Sequence, residues 1–231
     1  MKIAIMQPYL FPYIGYFQLL NAVDKFVFYD DVSFIKQGWI NRNRLLISGV
    51  PRYFTIPISR ASATKEIKDI LISKKLRWQN KLSNTLYHSY SKAAYYPRIN
   101  CLFNDVILAN ECFIAEMAKH SIIAVAEYLG INASFISSSS QYHNAELKGV
   151  NRILDICRQE NADIYLNLPG GCKLYDHSMF ARFGIELQII QPSIDTYKQF
   201  NGAFHPGLSI LDVLMFNHRE ACSKMLGLQV T

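Results

Sequence analysis

Residues 2–36 read KIAIMQPYLFPYIGYFQLLNAVDKFVFYDDVSFIK. Ile3-Ala4-Ile5-Met6 is a short apolar run with the pattern of a buried strand. A polar and aromatic turn follows from Gln7 to Tyr13, then a helical stretch over 14–22. Phe26 to Tyr29 forms a second strand that ends in two acids, Asp30 and Asp31. A strand–turn–helix–strand unit of this length suits a right-handed parallel crossover. In open α/β sheets the carboxyl ends of the strands border the ligand crevice, so Gln7 and Asp30 are expected there.

The rest of the chain repeats the alternation. Short strands are predicted over 133–136, 162–168 and 186–190, with helices over 148–160, 178–183 and, at the end, from 208 to 226. Between the first and last parts stands a helical middle, about 77–129, broken near Asn110 and stopped at Gly130. Two β-rich runs flanking Ser48-Gly49 predict a hairpin. The expected class is therefore α/β, a Rossmann-like, mostly parallel sheet flanked by helices. One domain over 1–231 is expected, with the helical middle as a layer or insert.

Half of the residues are hydrophobic and 18% are charged, which suits a chain with a sizeable core and excludes a disordered one. The formal charge is +6, a bias toward anionic ligands or partners. The basic residues are scattered, with no arginine-rich arm, so nucleic acid is not expected as a partner. Five cysteines, Cys101, Cys112, Cys157, Cys172 and Cys222, form no CxxC pair and suggest neither a zinc site nor a disulfide framework. No signal peptide or long apolar span is seen, and a cytoplasmic location with no membrane span is expected.

The opening turn lacks GxGxxG and GxxxxGK[ST], so neither phosphate-loop pattern is supported. It offers instead the Gln7 carboxamide, able to pair with sugar hydroxyls or a base edge, and the rings of Tyr9 and Tyr13. A rigid loop that packs both tyrosines into the core is the competing reading. A second constellation joins Asp30 and Asp31 with Lys36, Trp39, Asn41 and Arg42. Paired carboxylates at a strand end suit a metal, a hydroxyl or a general base. Lys36 and Arg42 suit phosphate and Trp39 suits stacking, while a solvated charged loop would need none of this. A third is Asn167-Leu168-Pro169-Gly170-Gly171 with Tyr175-Asp176, where backbone N–H groups after a strand can face an anion, an ordinary strand-to-helix turn being the competing reading. The fourth is His205, a loop histidine placed for base work or merely exposed, followed by Ser209 and Asp212, either of which can cap the last helix. No GxSxG elbow marks a serine nucleophile, and nothing local lowers the pKa of the Cys172 thiol beside Gly171.

Residues 7–17, 30–36 and 39–43, with Ser138-Ser139, Tyr165-Leu166, Gly170-Gly171, Phe204, Pro206 and 208–212, resemble the WbqC-like family along nearly the whole chain. The resemblance implies a bacterial protein of surface-polysaccharide (O-antigen) biosynthesis. It further implies an acyl or aminoacyl transferase, glycyl for example, acting on the amine of a nucleotide-linked amino sugar. Under that reading Asp30, Asp31 or His205 serves as base. Gln7, Tyr9, Tyr13, Lys36, Trp39, Asn41, Arg42, Gly170, Gly171, Tyr175 and Ser209 bind substrate. The donor is an acyl carrier protein thioester, and no cofactor or metal is expected. Family members carry a histidine four residues after the helical tryptophan. Counted from Trp78 that position is Leu82, which puts this chain's chemistry in doubt there and leaves His88 as a substitute. The opening unit is also similar to nucleotidyltransferases of the pantothenate-synthetase type, although their HxGH-like pair is absent. That analogy implies a nucleoside triphosphate with magnesium at Asp30-Asp31. A non-catalytic nucleotide-sugar-binding protein of the same pathway is the third expectation.

Overall fold

The computed structural model describes residues 1–227 except 60, 61, 63, 75, 76, 172–174 and 201. The elements run β1 (Lys2–Met6), α1 (Ile14–Asn21), β2 (Lys25–Phe28), β3 (Arg42–Ile47), β4 (Val50–Thr55), β5 (Ile58–Ser59), β6 (Leu71–Ile72), α2 (Trp78–Tyr90), α3 (Tyr96–Ile107), α4 (Ile114–Leu129), β7 (Ser134–Ile136), α5 (Gly149–Gln159), β8 (Ile164–Asn167), α6 (His177–Ala181), β9 (Glu186–Ile189), α7 (Ile210–Phe216) and α8 (Arg219–Lys224). Five strands form one parallel sheet in the order β7-β2-β1-β8-β9. Chain order runs outward from β1 in both directions, so the topological switch point lies between β1 and β8. This is a Rossmann-like α/β architecture.

The alternation in the strands explains why both faces are covered. Ile3, Ile5, Val27, Tyr165 and Leu187 pack with α5 and α6 residues such as Ile153, Cys157 and Phe180. Ala4, Phe26, Phe28 and Leu166 share the opposite face's cluster with α1, α3, α4 and α7. A sheet buried on both faces needs apolar residues at successive positions, which is why β1 and β2 read as continuous apolar runs. The helical middle joins the same cluster as α1, through Leu86, Phe103, Ile122 and Val125 among others.

The predicted hairpin is β3–β4, with Ile47 paired to Val50 across the two-residue loop. Ser48 (φ 53°) and Gly49 (φ 77°) both take positive φ, as a tight hairpin turn of the primed type demands. The helical middle breaks at Asn110 (φ 57°), and α4 is capped by Gly130 (φ 77°). The single terminal helix expected over 208–226 is two helices instead. Asn217 is extended, its side-chain amide donates to the Val213 carbonyl at 2.9 Å, and His218 caps α8. Of the two residues that were candidates to cap α7, Ser209 does so, accepting from the Leu211 N–H. Among the described residues no helix is long and apolar enough to cross a membrane.

Candidate functional site

The turn after β1 is fastened from four directions. Phe11, fully buried with φ 41°, sits at its centre. The Phe11 N–H donates to Ser121 Oγ of α4 at 2.9 Å. Asn43 Nδ2 of β3 donates to the Leu10 carbonyl (3.0 Å) and the Phe11 carbonyl (2.8 Å). Ser209 Oγ donates to the same Phe11 carbonyl at 2.8 Å, and the Ile210 N–H donates to the Pro12 carbonyl at 2.9 Å. The Leu10 N–H donates to the Trp39 carbonyl, which ties in the loop before the hairpin. Motif segments far apart in the chain thus converge on one backbone turn, and a non-glycine residue at positive φ persists because its surroundings over-determine it.

Beside this turn, at the switch point, lies a cavity of about 820 Å³, within the range of small-molecule sites. Five of its walls are aromatic: Tyr9, Tyr13, Tyr29, Trp39 and Tyr175. Met6 and Gln7 contribute from the end of β1, and Asn167, Leu168 and Gly170 from the end of β8. Ile153 of α5, with Pro192, Ile194 and Gly207 of the long loop after β9, completes the lining. Among the described residues Arg44 of β3 is the sole charged side chain in it. Its guanidinium donates to the Gly207 carbonyl at 3.1 Å and lies 5.9 Å from the Trp39 ring, while its buried Nε has no hydrogen-bond partner. A guanidinium in a cavity wall suits an anionic acceptor. The side-chain amide of Gln7 makes no hydrogen bond to another described residue. The side chains of Asn43 and Asn167 are engaged by the backbone and by the Tyr165 hydroxyl. Burial pushes the Tyr9, Tyr13 and Tyr175 phenols up, so they face the cavity as neutral donors. Burial does the same to Tyr29, partly offset by the Arg152 guanidinium, which stands 5.1 Å from the ring.

Gly15 has a specific role in this wall. A Cβ there would lie 2.4 Å from the Tyr13 ring, so the glycine lets that ring lie across the first turn of α1. Gly15→Ala is expected to gain about 0.5–1 kcal/mol in helix propensity yet to displace Tyr13 from the cavity. Thermal melting together with ligand titration checks this, and unchanged affinity in the variant would remove Tyr13 from the site.

Gln7, Tyr9, Tyr13, Trp39, Gly170 and Tyr175 are thus brought together as the sequence suggested. The other candidates lie elsewhere. Asp30 is 1% exposed and accepts from Lys119 Nζ of α4 (2.7 Å) and Ser138 Oγ (2.6 Å). Asp31 is buried against Arg152 of α5 and Ser139. Its burial alone would raise the carboxyl, but the Arg152 and Ser139 hydrogen bonds outweigh that and hold it below the ordinary value. Neither carboxylate lines the cavity. Asn41 is buried and donates to the Ile56 carbonyl at 2.9 Å, fixing the chain after β4. Arg42 lies 4.3 Å over the Tyr53 ring and donates to the Gly38 carbonyl, and Lys36 is exposed. Ser209 is the fully buried cap already described. Gly171 closes the short turn Pro169–Gly171. His205 stands two residues before Gly207, its backbone N–H donating to Gln199 Oε1 at 2.7 Å. Leu82 packs on the core, His88 is exposed on α2 beside Tyr87, and Cys172 lies outside the described residues. Among the described residues no three His, Cys, Asp or Glu side chains converge as a metal-ligand set.

Sequence reasoning missed Tyr29, Arg44 and the loop residues Pro192 and Ile194 as site residues. Tyr29 lies at the carboxyl end of β2, and the strand-end rule that selected Gln7 also reaches it. Arg44 sits inside a strand of the hairpin with no local signal.

Fold and site together define a Rossmann-like protein with an aromatic switch-point cavity that Arg44 helps to line. Residues 7–224 match the WbqC-like protein family, and the chain belongs to it. It is 30% identical over 219 residues to the uncharacterized protein Rv1507c of Mycobacterium tuberculosis, an alignment covering 94% of this chain and 93% of that one. No solved structure matches the chain.

Proposed function

We propose that the switch-point cavity binds a nucleotide-linked amino sugar and that the protein transfers an acyl or aminoacyl group to its amine, in the cytoplasmic assembly of a bacterial surface polysaccharide. The observation that supports this best is the charge of the described lining: one guanidinium, Arg44, among aromatic walls and with no carboxylate. A guanidinium suits phosphate oxygens. The faces of Trp39 and the tyrosines suit a base and a sugar ring, and Gln7 suits a hydroxyl or a base edge. A cationic wall without a carboxylate also disfavours an ammonium ion, so the bound amine stays as its nucleophilic free base. Its nitrogen attacks the thioester carbonyl carbon. The C–N bond forms, the C–S bond breaks, and the proton shed by nitrogen ends on the departing sulfur. Asp30 and Asp31 bear on this step through the scaffold, and His205 is the titratable candidate next in chain to the lining. Magnesium-dependent nucleotidyl transfer at Asp30 and Asp31 has less support, because both carboxylates already answer a cation.

Thermal melting in the presence of nucleotide-linked amino sugars tests the reading. A ligand at a hundred times its Kd adds about 2.7 kcal/mol, a rise of about 5–10 °C for a chain of this size. Mass spectrometry of the sugar after incubation with an aminoacyl thioester then reads the transfer. Stabilisation by a nucleoside triphosphate with magnesium, and none by nucleotide sugars, overturns the reading. Tight sugar binding without acylation reduces the protein to a carrier of the same ligand.

A further inference from the structure

Two stretches of this chain carry basic residues with no acid among them. Residues 32–65 contain Lys36, Arg42, Arg44, Arg52, Arg60 and Lys65 and no aspartate or glutamate. The other stretch, 70–104, contains Lys74, Lys75, Arg77, Lys81, Lys92 and Arg98. The run over 32–65 is the one that contains the cavity's lip and the β3–β4 hairpin.

The same segment exposes Ile35, Trp39, Val50 and Tyr53, the last by 51%. The Trp39 and Tyr53 rings lie 6.0 Å apart, with the Arg42 guanidinium 4.3 Å over Tyr53. Lys36 and Arg52 of the same segment are exposed, and neither they nor Arg42 forms an ion pair with a described residue. Trp39 belongs both to this platform and to the cavity lining. β4 pairs with β3 alone, so its outer edge is open.

We infer that this aromatic and basic platform is the docking surface for an acidic carrier protein, which delivers the acyl group as a thioester past Trp39 into the cavity. The inference rests on the transfer reaction proposed above. Arginine, tryptophan and tyrosine are the residues in which protein-binding hot spots are enriched. A run of like charge without counter-charge steers an oppositely charged protein and fixes its orientation. The rings are laid against one another and under a guanidinium, a flat platform rather than the projecting apolar wedge that enters a bilayer. A partner seated there needs only a flexible arm to reach the cavity, because the platform and the lining share Trp39.

The test is calorimetric titration of the full chain with an aminoacyl-loaded acidic acyl carrier protein, at low and high salt. Lys36→Glu/Arg52→Glu reverses two exposed charges and touches no cavity residue. Carrier affinity is expected to fall about tenfold or more in the variant and with added salt, while melting temperature and nucleotide-sugar binding stay at the wild-type level. Equal carrier binding by variant and wild type overturns the inference. So does a wild-type preference for anionic vesicles or single-stranded RNA over the carrier. Sugar binding without carrier binding sinks the docking surface alone, whereas failure of sugar binding sinks the function proposed for the cavity.

Discussion

Arg152→Met is expected to destabilise the protein by about 3–5 kcal/mol, the cost of removing one partner of a buried ion pair. Side chains of Asp31 and Arg152 are each 3% exposed. The guanidinium also donates to Asn144 Oδ1 at 2.9 Å and to the Asp31 carbonyl, and it stands over the Tyr29 ring. The substitution leaves the Asp31 carboxylate with Ser139 as its remaining hydrogen-bond donor and frees the wall of the cavity that Tyr29 makes. The melting temperature should fall by about 6–20 °C for a chain of this length. Adding Asp31→Asn removes the stranded charge, so the double variant should recover part of the loss. A double variant no more stable than Arg152→Met would show that the charge is not what the guanidinium answers.

The pH dependence has a definite sign. In the wild type the Asp31 carboxyl lies below its ordinary value. The pair's contribution is thus complete above the unfolded value and is lost only as pH falls through the lower folded one. Wild-type melting should be insensitive to this group between about pH 5 and 8. In Arg152→Met burial acts on Asp31 without the guanidinium and raises its carboxyl. The folded state of the variant then binds the proton more tightly than the unfolded one, and its stability should rise on mild acidification. A variant whose melting temperature is flat over that range would contradict the assignment.

The second large effect falls on binding. Arg44→Ala should weaken a nucleotide-linked ligand about ten- to a hundredfold, the worth of a charge-assisted hydrogen bond of about 1.5–3 kcal/mol. Its effect on melting should be small by comparison, since one hydrogen bond to the Gly207 carbonyl is lost and an unsatisfied Nε disappears with it. Arg44→Lys keeps the charge but not the fork, so it should restore part of the affinity. An uncharged nucleoside or free sugar should bind both proteins alike, because it gives the guanidinium nothing to pair with. Titration calorimetry with the charged and uncharged pair reads the difference. Equal affinity of wild type and Arg44→Ala for the nucleotide sugar would remove the anion from the site.

Much of this architecture is local in origin and was legible in the residues. The apolar run 3–6 and the run 26–29 read as buried strands because a sheet covered on both faces needs no polar alternation. Ser48-Gly49 announced the hairpin, Gly130 the end of α4, and the turn 7–13 its place at a strand's carboxyl end. Gln7, Tyr9, Tyr13, Trp39, Gly170 and Tyr175 followed from that placement. What tertiary structure alone decided is the use of charge. Asp30 and Asp31 look in sequence like a pair of free acids, yet their cations come from α4 and α5, 89 and 121 positions away. Arg42 and Arg44 differ by two positions, so they share one face of β3 and no period separates them. Arg42 covers Tyr53 and donates to the Gly38 carbonyl, whereas Arg44 reaches Gly207 and the cavity because β3 is pinned to the opening turn by Asn43. Local sequence sets backbone pattern through sterics and hydrophobic period. Which charge is buried, paired or left open depends on partners that only the folded chain brings within reach.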